Sequence, residues 1–130
     1  MDPIANMLTQ IRNAIALKKD EILVPHSRVK TQIAEILKAN GYLQAIETIE
    51  NEAGRKTLRI VPRYTDGSSA IRSIRRISKP GLRIYAKADR IPRPRNGFGH
   101  IIISTPQGFM TGNDARKRSV GGEVICEVLS

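Results

Sequence analysis

Hydroxyl side chains cluster near the end of the chain, where Ser104 and Thr105 are followed by Gly108 and Thr111. A hydroxyl both donates and accepts hydrogen bonds, and a glycine lets another backbone approach closely. This chemistry suits the base edges and ribose 2′-hydroxyls that a bulged or shallow-grooved RNA helix displays. A Ser/Thr-rich hairpin turn explains the same residues equally well, so the hydroxyls alone leave both interpretations open.

Positive charge is concentrated ahead of this segment. From Arg72 to Arg95 the chain has nine lysines and arginines and a single acid, Asp89. On alternating strands we expect Arg72, Arg75 and Arg83 to form a ladder that follows a phosphate backbone. Because almost no acid is available nearby to pair with them, the run favours polyanion binding over a merely solvated sheet face.

An aromatic residue, Tyr85, lies inside this run between Arg83 and Lys87. A ring flanked by cations can stack on an unpaired base, a contact worth about 1–3 kcal/mol. The alternative is a half-buried strand tyrosine, which the residues by themselves favour.

The whole chain is strongly basic, with 22 lysines and arginines against 12 acids in 130 residues and a pI near 10.4. Nucleic acids and acidic membrane surfaces are the commonest partners of such a chain. Residues 66–130 hold twelve of the cations and five of the acids, so the binding charge is mainly C-terminal. Because 40% of the residues are hydrophobic, the charge is expected to decorate an ordinary folded core.

Catalysis and metal binding are not expected. The single cysteine excludes an internal disulfide and a cysteine zinc cluster, and its alternation with Val124 and Val128 places Cys126 on the same buried strand face as both valines. The sequence has no nucleophile-elbow or phosphate-loop motif. We therefore predict a protein that is not an enzyme and has no cofactor, no metal and no small-molecule substrate.

The N-terminal residues and the hydropathy indicate a protein of the cytoplasm without a membrane partner. Residues 1–6 include an early acid and lack the pattern of a secretory signal. No apolar run approaches the length of a membrane span.

The first half of the chain predicts an α-β-α-β-β arrangement. Asp2 and Pro3 suit a helix start, and Ser27 suits the start of a second helix that ends at Asn40-Gly41. A short buried strand at 22–24 lies between these helices, and an antiparallel hairpin follows them at 43–61.

The second half predicts mostly antiparallel strands. A polar linker at 65–69 precedes strands at 71–77, 82–86, 101–103 and 123–128, with a helical turn at 113–118 that Asn113 caps. The fold class is therefore α+β, in two small lobes: residues 1–65 form an N-terminal α/β lobe, and residues 70–130 form a β-rich lobe with a short helix.

Several motifs in order resemble the bacterial-type small-subunit ribosomal protein eight family across nearly the whole chain. They are Asp2-Pro3-Ile4-Ala5-Asn6-Met7-Leu8, Ile11-Arg12-Asn13-Ala14, Ile77-Ser78-Lys79-Pro80-Gly81, Ile91-Pro92, Asn96-Gly97-Phe98-Gly99, Ser104-Thr105, Gly108 with Met110-Thr111, and Gly121-Gly122-Glu123.

The resemblance implies a ribosomal, RNA-binding role. It implies direct binding to the central domain of small-subunit ribosomal RNA early in assembly, beside neighbouring small-subunit proteins, in a bacterial cytoplasm or a plastid. The alternative function is a general or regulatory RNA-binding protein that represses its own operon by binding a similar messenger RNA structure.

The resemblance also implies the RNA-reading residues: Tyr85, Ser104, Thr105, Gly108, Met110, Thr111 and Glu123. Lys87 beside Tyr85 joins the arginine run as an RNA contact. We expect Glu123 to accept hydrogen bonds from neighbouring hydroxyls and hold the Ser/Thr loop in shape. Pro106 stands where the family usually has a further serine, so it offers neither a hydroxyl nor an N–H.

Two cations of the first lobe complete the set. Arg12 and Lys30 lie on polar helix faces and are expected to make weak phosphate contacts with a second RNA segment. A solvated helix face explains both residues equally well.

Overall fold

The computed structural model describes residues 2–95 and 97–130. Three α-helices lie at α1 (Pro3–Ala16), α2 (Arg28–Ala39) and α3 (Gly112–Lys117). The strands are β1 (Ile22–Pro25), β2 (Leu43–Glu50), β3 (Lys56–Pro62), β4 (Tyr64–Thr65), β5 (Ser68–Ser69), β6 (Ser73–Arg76), β7 (Tyr85–Ala86), β8 (Gly99–Thr105), β9 (Gly108–Thr111) and β10 (Gly122–Leu129). Ala88–Arg90 forms one 3₁₀ turn. These elements confirm the α+β class.

The chain divides into two compact units, Pro3–Ile71 and Asp2 with Arg72–Ser130. In the first unit α1 and α2 pack with an antiparallel sheet of order β1-β3-β2. Met7, Leu8 and Ile11 line the buried face of α1, as their helical spacing predicts. Ser27 caps α2, because its hydroxyl accepts a hydrogen bond from the Lys30 backbone N–H at 3.1 Å.

The segment predicted as a linker is folded. Tyr64–Thr65 and Ser68–Ser69 pair as a small hairpin that turns at Asp66 and Gly67, both of which have positive φ. The Tyr64 hydroxyl donates to the Lys19 carbonyl at 2.8 Å, so the hairpin is held to the first unit. The residues whose sequence pattern is typical of a linker therefore form the turn of a β-hairpin.

The second unit is built on an antiparallel sheet of order β6-β10-β8-β9, with β7 also paired to β10. The predicted strand at 82–86 is reduced to Tyr85–Ala86, and Gly108–Thr111 forms β9 where the sequence predicts no strand. Helix α3 begins one residue earlier than expected, because Thr111 rather than Asn113 is its N-cap. One side of the sheet packs on α3 through a cluster of Ile91, Ile101, Ile103, Met110, Ala115 and Val124.

A β-bulge interrupts β10 between Val124 and Cys126. Val124 pairs with Ile103, whereas Cys126 pairs with Ile102, and adjacent residues of β8 face opposite sides. The expectation that Cys126 shares a face with Val124 is therefore wrong, although Cys126 is fully buried. Burial raises the pKa of its thiol to about 12, so it is an unreactive core residue.

No helix among the described residues is long and apolar enough to cross a membrane.

Candidate nucleic-acid interface

A surface groove of about 780 Å³ on the second unit gathers many of the residues singled out by the sequence. Its lining comprises Tyr85, Ala86, Lys87, Ala88, Ser104, Thr105, Pro106, Ser119, Gly121, Gly122 and Glu123. The walls come from β7, β8, β10 and the turn that precedes β10. We call this feature the Tyr85 groove.

One row of side chains crosses the sheet at the groove. Tyr85 is paired with Glu123, Glu123 with Ser104, and Ser104 with Phe109. Residues paired in this way lie on the same sheet face, and neighbouring strands are about 4.8 Å apart. Tyr85 and Ser104 therefore flank Glu123 with roughly 10 Å between their strands. The Tyr85 ring is 69% exposed and available for stacking.

Two glycines let the strands come together here. A Cβ atom at Gly122 would lie 1.9 Å from the Ser104 carbonyl oxygen, and one at Gly121 would lie 2.3 Å from the Ala86 carbonyl oxygen. Any side chain would force β10 away from β8 or from the segment that begins with β7. The pair Gly121-Gly122 is thus required for the row to form.

Glu123 acts through its hydrogen bonds. Its carboxylate accepts from the Ser78 hydroxyl at 2.6 Å and from the Arg83 guanidinium at 2.9 Å. Burial opposes ionisation, but these donors outweigh it and lower the pKa of Glu123. The buried Ser78 hydroxyl also accepts from the Ile84 N–H at 3.0 Å. Glu123 therefore accepts from a hydroxyl as expected, but the segment it secures is 78–84, which leads into Tyr85, and not the Ser/Thr loop.

The two hydroxyls at the end of β8 have different roles. The Thr105 hydroxyl donates to the Gly108 carbonyl at 2.9 Å and accepts from the Gln107 N–H at 3.0 Å. The hairpin interpretation therefore accounts for Thr105, whose side chain shapes the loop at 106–107. No hydrogen bond from residues 2–95 or 97–130 engages the half-buried Ser104 hydroxyl, which lines the groove.

The remaining residues that the resemblance implies, Gly108, Met110 and Thr111, belong to the β8–β9 hairpin and its packing against α3. Met110 is buried in the cluster under α3, and the Thr111 hydroxyl accepts from the Asp114 N–H at 3.2 Å to cap that helix. These side chains are committed to packing and capping, which argues against their reading RNA directly. Gly108 is partly exposed, with a φ of +112° that suits glycine at the end of the loop.

The expected arginine ladder is wrong. Arg75 pairs with Glu127 at 2.9 Å, and Arg83 pairs with Glu123 at 2.9 Å. The bulge puts these two acids on opposite faces of the sheet, so the two arginines do not form one stripe. Both acids lie on β10, far in sequence from the arginines. The run of cations from Arg72 to Arg95 therefore has no pairing acid among its neighbours in sequence. Arg72 is exposed.

Arg12 and Lys30, the two cations of the first unit that were expected to contact phosphate, differ in exposure. Arg12 is exposed on α1. Lys30 is only 8% exposed, and its ammonium donates to the Pro25 carbonyl at 3.1 Å. Lys30 therefore anchors the start of α2 and is poorly placed to hold a phosphate.

Sequence reasoning missed Ser78 and assigned no function to the glycine pair. The sequence analysis names Ser78 only within the motif Ile77-Ser78-Lys79-Pro80-Gly81, and nothing local identifies this serine as buried beneath a distant glutamate. Among the described residues, no group of His, Cys, Asp and Glu side chains is arranged to hold a metal ion.

Comparison with known proteins identifies the family of this chain. The family model of ribosomal protein S8 matches residues 2–129. The small ribosomal subunit protein uS8 of Sorangium cellulosum is 50% identical over 128 residues, covering 98% of this chain and 97% of that protein. The uS8 proteins of Ruthia magnifica and Mesorhizobium japonicum are 45% and 42% identical, each over 98% of this chain and over 96% and 97% of their own lengths. The chain belongs to the ribosomal protein S8 family.

Proposed function

We propose that this protein, as a constituent of the small ribosomal subunit, binds the central domain of small-subunit ribosomal RNA directly and helps it to assemble. The observation that carries the proposal is the row across the Tyr85 groove. The exposed Tyr85 ring lies on one side of the Glu123 carboxylate, which accepts from Ser78 and Arg83. On the other side lies the Ser104 hydroxyl, which no hydrogen bond from the described residues engages.

The row suits an irregular RNA element. Tyr85 offers a face on which an unpaired base stacks, and Ser104 offers a hydrogen bond to a base edge or a ribose 2′-hydroxyl. A regular duplex keeps its bases stacked inside, so it would satisfy neither contact. The groove therefore favours an RNA helix with an unpaired or bulged core.

Charge around the groove supports binding to phosphate. Lys87 lines the groove and is exposed. The Glu123 carboxylate would repel RNA by itself, but its contact with Arg83 at 2.9 Å compensates the charge at close range. Attraction by the surrounding cations then adds a salt-dependent term to the shape-dependent contacts.

The same groove would accept any RNA that presents the same irregular shape. A second target is therefore the protein's own messenger RNA, where binding would repress translation of the operon. Neighbouring small-subunit proteins are further partners in the assembled particle, within a cytoplasmic or plastid ribosome.

The test is binding of the full chain to a central-domain ribosomal RNA fragment across a salt series, beside a fully paired RNA of equal length. Tyr85→Ala should weaken binding to the fragment by about 1–3 kcal/mol, and Tyr85→Phe should restore most of it because the ring remains. Ser104→Ala should cost about 1 kcal/mol, whereas the matched control Ser73→Ala, on the edge strand β6 and outside the groove, should cost nothing.

The preference for the fragment should persist at high salt, because stacking and base contacts release no counterions. Equal binding of both RNAs, with no effect of either groove variant, would overturn the proposal. Adding the operon leader RNA as a third ligand tests the second target in the same assay.

A further inference from the structure

A second, smaller cavity of about 160 Å³ lies in the second unit and shares no residue with the Tyr85 groove. It is lined by Arg93, Pro94, Gly97, Gly99, His100, Ile101, Gly112, Asn113 and Arg116. We call it the Arg93–Arg116 cavity. No carboxylate-bearing residue is among the lining residues.

The two arginines of this cavity differ from the arginines of the unit that contact a carboxylate, which include Arg75, Arg76, Arg83 and Arg95. Within residues 2–95 and 97–130, no carboxylate forms an ion pair with Arg93 or Arg116.

The partners of Arg116 are uncharged. Its guanidinium donates to the Ile91 carbonyl at 3.3 Å and to the Asn113 side-chain oxygen. Both guanidinium-bearing residues line the same cavity, and burial and the positive charge of Arg93 both lower the pKa of Arg116. Two positive charges therefore face one cavity whose described lining residues include no carboxylate.

The cavity has a fixed wall. Glu127, 1% exposed, accepts from the Arg95 backbone N–H at 3.0 Å and from the Arg95 guanidinium at 2.8 Å. A Cβ atom at Gly99 would lie 2.1 Å from the Val128 carbonyl oxygen, so this end of the loop lies directly on β10. Arg95 and Gly99, which lie close to Arg93 in the chain, are thus fixed on β10 before any ligand arrives.

We propose that the Arg93–Arg116 cavity binds a phosphate group. Its volume admits one tetrahedral oxyanion with a few waters, and it is too small for a nucleotide. Guanidinium groups pair with phosphate through parallel hydrogen bonds, and an anion between them removes their mutual repulsion. The phosphate comes from an RNA backbone or from solution, and binding to the cavity does not require the Tyr85 groove to bind RNA.

The test uses inorganic phosphate as the probe on the full ¹⁵N-labelled chain, with sodium acetate as the carboxylate comparison. Phosphate should shift the amide signals of Gly97, Gly99 and Gly112. Arg93→Gln and Arg116→Gln should each weaken this binding about tenfold, the effect of one lost charge-assisted contact. Arg90→Gln removes an exposed cation from the same loop without altering the lining, and should leave the binding unchanged.

The proposal is overturned if phosphate leaves these signals unmoved, if both lining variants bind as the wild type does, or if acetate binds equally well. Equal acetate binding would assign the cavity to an acidic protein side chain. Melting curves check the fold of each variant, and Arg93→Gln carries the test if Arg116→Gln does not fold, because Arg93 is exposed.

A competition arm distinguishes the two sources of phosphate. The central-domain fragment would identify an RNA phosphodiester as the ligand if it displaces the bound phosphate. The same displacement should occur in Tyr85→Ala when the RNA is saturating. Phosphate that stays bound beside saturating RNA would identify free phosphate. A Tyr85 groove that fails to bind RNA leaves the phosphate titration itself unaffected, so the two proposals fail separately.

Discussion

Glu123 and Glu127 stand four residues apart on β10, and both accept hydrogen bonds from arginines, yet they serve different regions. The Glu123 side chain is 18% exposed beside the groove, whereas that of Glu127 is 2% exposed. The bulge between them turns the second residue to the opposite sheet face. Glu123 therefore secures the segment that leads into Tyr85, and Glu127 secures Arg95. Neither contact with an arginine is a simple surface ion pair.

The largest effect is expected when the buried acid is removed. Glu127→Ala should lower the free energy of unfolding by about 3 kcal/mol, because Glu127 accepts from Arg75 and from two donors of Arg95. The arginines keep access to water, which limits the loss. Chemical denaturation measures it.

Glu47→Ala is the matched control, since Glu47 also accepts from an arginine but is well exposed. Its loss should stay below about 1 kcal/mol. Equal losses in the two variants would remove the distinction between buried and exposed acids.

Replacing the groove acid should have a smaller effect on stability and a clear effect on binding. Glu123→Gln keeps an acceptor for Ser78 but loses the charge that holds Arg83, so we expect about 1 kcal/mol less stability. RNA affinity should fall because the segment before Tyr85 loosens. A variant that melts at the wild-type temperature and binds RNA as well as the wild type would show that Glu123 has no supporting role.

Acid should destabilise the protein through the same two residues. The pKa of Glu127 is lowered because the arginine donors outweigh its burial, and that of Glu123 is lowered likewise. A lowered folded-state pKa gives stability that is present above the unfolded value of about 4.5 and is lost as the pH falls through the folded value. Melting temperatures measured below about pH 4.5 should fall less steeply in Glu127→Gln than in the wild type. Parallel curves would contradict this assignment.

The smallest effect on RNA binding is expected in the first unit, whose residues do not line the Tyr85 groove. Arg12→Ala should flatten the salt dependence of RNA binding by about one unit if this exposed residue contacts phosphate. Lys30→Met should leave the slope unchanged, because its ammonium is bonded to the Pro25 carbonyl. A flatter slope in the Lys30 variant alone would reverse this ranking.

The ordered motifs identified the family, and the local patterns predicted the fold class correctly. The relatives are ribosomal proteins, in agreement with the prediction that the chain is not an enzyme. Ser27 lies in a helix-start pattern, and its capping contact forms as predicted. Thr111 shows the limit of such reasoning, because Asn113 is an equally good cap and only the end of β9 decides between them.

The errors in the site come from contacts that are distant in sequence. Arg75 looked unpaired because Glu127 lies fifty-two residues away, and the bulge that orients this glutamate has no marker in the surrounding residues. The sequence alone does not distinguish the roles of the adjacent hydroxyls of Ser104 and Thr105. Only the folded loop shows that the Thr105 hydroxyl forms hydrogen bonds within it. Tyr85 is exposed and lines the groove, and its stacking on an RNA base stays a prediction.

The most direct measurement is an NMR titration of the full ¹⁵N-labelled chain with the central-domain ribosomal RNA fragment at raised salt. We expect the largest amide shifts at Tyr85, Ser104 and Gly122, with weaker shifts at 72–76. Shifts concentrated at 72–76 and absent from the Tyr85 groove would contradict it, because the arginines alone would then hold the RNA.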